Sequence, residues 1–168
     1  MVVVMQIKEA LFEAFREDHA MMGRALYDLR SKLDAGDIAG ARTIADKIDR
    51  ESGAHIVFEE EDFYPALRAF LSTDEIDGMY TDHADGYDLI REILQTGSSP
   101  EISKDSQTDF IKRVEKMEAH VSTCGELFGA MGGLSQTEQE RLMERLKYWR
   151  RKAPTWTSHI SGSPTPGL

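Results

Sequence analysis

The chain has 168 residues, 40% hydrophobic and 30% charged, with a formal net charge of −10. That length suits one ordinary core, and the acidic balance excludes non-specific nucleic-acid binding, which needs clustered Lys and Arg. The single cysteine, Cys124, excludes an internal disulfide and suits a reducing cytoplasm; the N-terminal run MVVVMQIKEA is too short to span a bilayer and lacks the basic start of a secretory signal, so a cytoplasmic protein is expected.

Long stretches carry apolar residues at helical spacing, and none sustains two-residue alternation. The first predicted helix runs from about residue 5 to Leu33, with Leu11, Phe15, His19, Met22, Leu26 and Leu33 inward, and AGDIAG at 35–40 breaks it. The second reaches Leu71, with Ile44, Ile48, His55, Glu59, Phe63, Ala66 and Phe70 on one stripe. Ser72 with Glu75 reads as a capping box opening a third helix that carries Ile76, Tyr80, His83, Tyr87, Ile90 and Leu94. The loop TGSSPEISKDS precedes a fourth helix with Phe110, Val114, Met117, His120, Cys124, Leu127 and Met131, ended by GAMGGLS. Ser135 with Glu138 predicts a second capping box and a shorter helix to about Arg151, with Leu142, Leu146 and Trp149 on its apolar face.

The expected fold is all-α: an antiparallel up-down four-helix bundle with its core at about 5–132 and a short extra helix at about 135–151. Residues 1–152 form one domain in this reading. Residues 153–168, APTWTSHISGSPTPGL, are turn- and linker-like and are expected to be a disordered tail.

Each of the four long helices places one histidine on its own apolar stripe: His19, His55, His83 and His120. His19 lies about as far before the first turn as His55 lies after it, and His83 and His120 are related in the same way across the 97–104 loop. At a rise of about 1.5 Å per residue, such antiparallel neighbours sit level, so four imidazoles are expected to meet at mid-bundle. Glu59, four residues after His55, shares the inward face one turn along. A carboxylate there is costly to bury unless paired or bound to a metal. Glu60 and Glu61 are expected on the solvated outer side, with Asp62 near the boundary. A single core histidine is more often structural than a ligand, and His159 in the tail carries no weight. Four histidines at one level, one per helix, point instead to a metal site.

With these residues in hand, the chain resembles hemerythrin-like proteins of the HHE cation-binding family. His19, H55-I-V-F-E59 and His83 match the family's order and spacing, and EEEDFYPAL (59–67) resembles its second-helix signature. The resemblance spans roughly residues 5–132 and implies a four-helix bundle holding non-haem iron. It implies His19, His55, Glu59, His83 and His120 as metal ligands, with Glu59 as a bridge and two histidines per metal. In two places the chain departs from the pattern. Cys124 stands in H120-V-S-T-C124 where a bridging carboxylate is expected, and Tyr87 stands where oxygen carriers have a further histidine. Cys124 is then either core filler or a thiolate ligand. Tyr87 is a core aromatic bonding Glu59 or a water, or a phenolate ligand. Glu126, about 240° round the helix from His120, would reach the site only through a local bulge.

The expected cofactor is iron, as one or two ions, with zinc or manganese as alternatives. Three functions stay open: binding or sensing iron or a small ligand such as O2, NO or peroxide; an oxidoreductase acting on peroxide or NO or aiding iron-centre repair; or a degenerate metal-free bundle for protein interaction. No DNA-binding, kinase or methyl-accepting segment is recognisable, so a fused signalling output is not expected. Neither nucleic acid nor membrane is expected as a partner.

Overall fold

The computed structural model describes residues 2–124 and 127–159. In chain order these form α1 (Val2–Asp34), α2 (Ile38–Phe58), a π-helical turn (Glu59–Phe63), α3 (Tyr64–Leu67), α4 (Thr73–Gln95), α5 (Lys104–Cys124), α6 (Leu127–Met131), α7 (Gln136–Lys152) and a 3₁₀ turn (Trp156–Ser158). No strand occurs among the described residues. α1 packs on α2 and α5, and α4 packs on the same two, which closes an antiparallel four-helix ring. α7 lies across α1 and α2 as the extra C-terminal helix.

The turns follow from local chemistry. Gly36 (φ +71°) takes the left-handed conformation that ends α1. Asp37 then caps α2 by accepting the Gly40 N–H at 2.8 Å. The capping box at α4 forms in full: Ser72 Oγ accepts from the Glu75 N–H, and Glu75 accepts from the Ser72 N–H at 2.8 Å. The second predicted box forms only by half. Ser135 Oγ accepts from the Glu138 N–H, but the Glu138 carboxylate turns to the Arg141 guanidinium at 2.6 Å instead.

The second predicted helix also changes. The second helix does not continue as one α-helix to Leu71. Pro65 has no N–H to give the Glu61 carbonyl and its ring crowds that turn, and the chain widens into the π turn before it, where the Tyr64 N–H reaches the Glu59 carbonyl five residues back. Phe70 consequently falls off the core stripe and is 48% exposed. The fourth helix is described to Cys124 and helical structure is described again over Leu127–Met131; the junction at 125–126 lies outside the described residues.

The end of the chain also differs from the expected loose tail. After α7, Ala153 turns the backbone left-handed (φ 46°), and the chain folds back so that Trp156 is only 2% exposed. Asp49, buried on α2, accepts from the Thr157 N–H at 2.7 Å and the Thr157 hydroxyl at 2.9 Å. Gly53 permits this approach, because a Cβ there would collide with the Pro154 carbonyl. Residues 160–168 lie outside the described residues.

The core is divided in two. One apolar cluster holds Leu26, Leu29 and Leu33 of α1 with Ile48, Ile90, Val114 and Trp156. The other holds Leu11 and Phe15 with Phe58, Phe63, Ile76 and Leu134, roofed by Leu142 and Leu146 of α7. On α1 and α4 the histidine falls between residues of the two clusters, and on α2 and α5 it lies at the end of the first cluster. A buried polar layer separates two greasy halves.

Candidate metal centre

All four layer histidines are buried, at 8% exposure or less, and all four are held in the same sense. His19 Nδ1 donates to the Phe15 carbonyl at 2.7 Å. His55 Nδ1 is held by Asp18 Oδ2 at 2.9 Å, His83 Nδ1 by Glu60 Oε1 at 2.8 Å and His120 Nδ1 by Asp82 Oδ2 at 3.0 Å. A carbonyl or carboxylate only accepts, so each Nδ1 carries its proton. Each Nε2 is left facing the centre, the arrangement that orients and strengthens imidazole as a metal ligand.

Glu59 is 1% exposed and stands at the convergence. Its Oε1 faces His55 Nε2 at 3.0 Å and His19 Nε2 at 3.6 Å. Its Oε2 faces His83 Nε2 at 3.2 Å and accepts from the Tyr64 hydroxyl at 3.1 Å. His120 completes the layer. Its ring centre is 4.9 Å from that of His83, and its Nε2 is 3.4 Å from Cys124 Sγ. Cys124 is 4% exposed, and its sulfur's contact with His120 Nε2 places it at the edge of the layer.

The electrostatics follow from this packing. Burial disfavours the Glu59 carboxylate, but the His55 and His83 imidazoles outweigh it and hold the group well below the usual carboxylate range. Burial likewise opposes protonation of His55 and His83, yet Glu59 with Asp18 and Glu60 pushes both up to about 9. His19 and His120 are lowered, first by burial and then by the charge on the neighbouring histidine. Burial, and then Glu59, raises the Cys124 thiol and the Tyr64 phenol.

The donor set fits a cation. His55 Nε2 and Glu59 Oε1 face each other, buried, without hydrogen-bond geometry. One donor atom from each of His19, His55 and Glu59 lies within 4.8 Å of the others. Imidazoles with a carboxylate suit iron, zinc or manganese. Beside the layer is a cavity of about 10 Å³, bordered by His19, Glu59, His83, His120, Trp156 and apolar side chains including Leu26 and Met117. That is about the least space that holds one water-sized molecule.

Among the sequence candidates, His19, His55, Glu59, His83, His120 and Cys124 come together. Tyr87 does not join them, for its hydroxyl turns to the Thr157 carbonyl at 3.5 Å. The tyrosine that reaches Glu59 is Tyr64, five residues on, and the π turn stacks it there. Glu126 lies outside the described residues. Glu60 is the clearest reversal. It was expected in solvent, but the π turn brings it inward to 2% exposure, where it bridges His83 and His159 Nε2 at 2.9 Å. Asp62 is also buried, and takes Arg145 at 2.9 Å and the Trp149 indole N–H at 2.8 Å.

The partners Asp18 and Asp82 were not among the sequence candidates, although a signal was present. Each directly precedes a layer histidine, in the doublets D18-H19 and D82-H83. In each doublet the histidine enters the layer and the aspartate reaches the histidine of the next long helix. α7 adds a brace, with Arg150 Nη2 3.0 Å from Asp18 Oδ2.

A family model, the Hemerythrin HHE cation binding domain, matches residues 10–123. Neither the curated proteins nor the solved structures gave a match.

Proposed function

The chain belongs to the hemerythrin HHE cation-binding family, and from that premise we propose that it binds one or two non-haem iron ions through His19, His55, Glu59, His83 and His120, as a carrier or sensor of a small ligand. The observation that carries this reading is the buried convergence of His19, His55 and Glu59, one donor atom from each lying within 4.8 Å of the others, with His55 Nε2 and Glu59 Oε1 in charge contact but without hydrogen-bond geometry. Burying a carboxylate among imidazoles is costly unless the group is paired or bound to a metal, and a coordinated cation would take up the donor atoms that here face one another without hydrogen-bond geometry. Glu59 presents one oxygen to His19 and His55 and the other to His83, which suits a bridge between two ions.

When bound, iron supplies redox chemistry and an open coordination position for O2, NO or peroxide. The chain's own residues do the rest. Asp18, Glu60, Asp82 and the Phe15 carbonyl hold the imidazoles in the ligating tautomer. On the side facing Trp156, the 10 Å³ cavity among apolar residues has room for nothing larger than a molecule of about diatomic size. Tyr64 holds Glu59 through its hydroxyl. A cytoplasmic setting is part of the same proposal; no helix among the described residues is long and apolar enough to cross a membrane.

The test is iron analysis of protein purified without oxygen and then reconstituted, with absorption spectra before and after air. About one to two iron per chain, with a ligand-to-metal band that changes on exposure to air or NO, is expected for imidazole and carboxylate ligation. Folded protein that takes up no iron, zinc or manganese after reconstitution refutes the proposal.

A further inference from the structure

A second, larger compartment reaches the same layer from outside. Between α4 and α5 opens a cleft of about 400 Å³. Its walls are mainly apolar, from residues such as Leu71, Met79, Ala119 and Leu127, and His120 and Cys124 lie at its buried end. The space is within the range of small-molecule sites, roughly 300–1,000 Å³, and far exceeds what a diatomic needs. Its opening carries Asp74, Glu75 and Asp82 against one base, Lys116, and that ammonium is already engaged by Asp85 and Asp82. A negative rim repels anions. Glu75 is spent on the helix cap and Asp82 on His120, and apolar walls make a cation shed its water at a cost that nothing among the described lining residues repays.

We propose that this cleft binds a small uncharged organic molecule, an apolar body with a polar head, and presents that head to His120 and Cys124. The cleft approaches the centre on the side where Cys124, shorter than a carboxylate side chain, leaves room. That its occupant is the substrate or ligand of the iron centre rests on the function proposed above; the cleft's own selectivity does not.

Cys124, the sole cysteine, is a built-in reporter for the test, which uses chelator-treated full-length protein at one pH. Alkylation by neutral iodoacetamide is compared with alkylation by anionic iodoacetate, each relative to free N-acetylcysteine. The neutral reagent is expected to be favoured by about tenfold more in the protein than in the free thiol, equivalent to about 1.4 kcal/mol. Gly78 lines the cleft, and a Cβ there meets nothing within 4 Å. Gly78→Leu therefore fills the cleft without a clash, and it is expected to slow iodoacetamide about tenfold. Gly23→Ala, which relieves a glycine in α1 and makes only ordinary contact with Val121, is expected to leave the rate unchanged. Benzyl alcohol is expected to protect Cys124 saturably, and benzoate, of similar size, is not. Equal slowing by Gly23→Ala would mean that the thiol is reached through general opening of the bundle, which overturns the proposal. Protection by both aromatic probes, or by neither, also overturns it. Failure of iron uptake leaves these rates untouched and sinks only the function proposed above.

Discussion

Replacing Trp156 with alanine should release the chain's folded-back end while leaving the bundle standing. Trp156 is 98% removed from solvent, given its 2% exposure; burying an indole of about 200 Å² is worth about 5 kcal/mol. Two hydrogen bonds from Thr157 to Asp49 add about 1 kcal/mol each, and the charge-assisted contact of His159 with Glu60 about 2 kcal/mol. Against this, ordering Pro154–His159 costs roughly 1–1.5 kcal/mol per residue, or about 6–9 kcal/mol in all. The segment is therefore docked by only a few kcal/mol at most. Trp156→Ala removes about 3–5 kcal/mol, enough to tip it off. Amide hydrogen exchange reads this directly, because the Thr157 N–H is protected through Asp49. Its protection, which a docking of a few kcal/mol limits to about a hundredfold, should be lost almost entirely, while amides in the middle of α7, such as that of Leu142, stay protected. If Thr157 keeps its protection, or if α2 and α7 lose theirs together with it, the segment is not a separable latch and the reasoning fails.

Three further outcomes are expected. Asp18→Asn and Asp82→Asn should each weaken iron retention about 10–100-fold without altering helix content, read by competition with a chelator; unchanged retention in both would mean that these carboxylates do not matter to the centre. Cys124→Glu should raise the iron-to-protein ratio towards two, because it adds an oxygen donor that iron prefers, and a metal titration in which the ratio stays put on folded protein would argue that position 124 supplies no bridge. Ala153→Gly should stabilise the fold by about 1 kcal/mol, since Ala153 sits at φ 46°, where only glycine is unstrained; this corresponds to a melting shift of about 2–4 °C for a chain of this size, and no upward shift would count against it.

The parts of this centre that obey helical periodicity were legible from the sequence. His19, His55, His83 and His120 could be placed at one height because rise per residue is fixed, and Glu59 followed from its spacing to His55. What escaped is what periodicity cannot describe. Glu60 and Tyr64 reach the layer only because the π turn adds a residue to the helical repeat, and the cue was Pro65 within an otherwise helical pattern rather than any period. Asp18 and Asp82 act across to a neighbouring helix, so their own stripe did not mark them. The burial of Trp156 and the His159–Glu60 contact depend on a reversal after α7 in a composition that reads as linker. The capping box at Ser135 shows the opposite error, a motif present in letters whose glutamate finds a better partner in Arg141.

The separation of the core into two apolar halves has a consequence for how the helices align lengthwise. Apolar stripes alone would tolerate sliding, because one leucine packs about as well as the next. Here a slip of one turn, about 5.4 Å, would push an imidazole or the Glu59 carboxylate into hydrocarbon on one helix and set an aliphatic residue against charge on its neighbour. Breaking a buried charge pair in that way costs about 3–5 kcal/mol, a large share of the stability of an ordinary domain. The layer thus acts as a set of detents that locks the register of four long helices, whether or not a metal is bound.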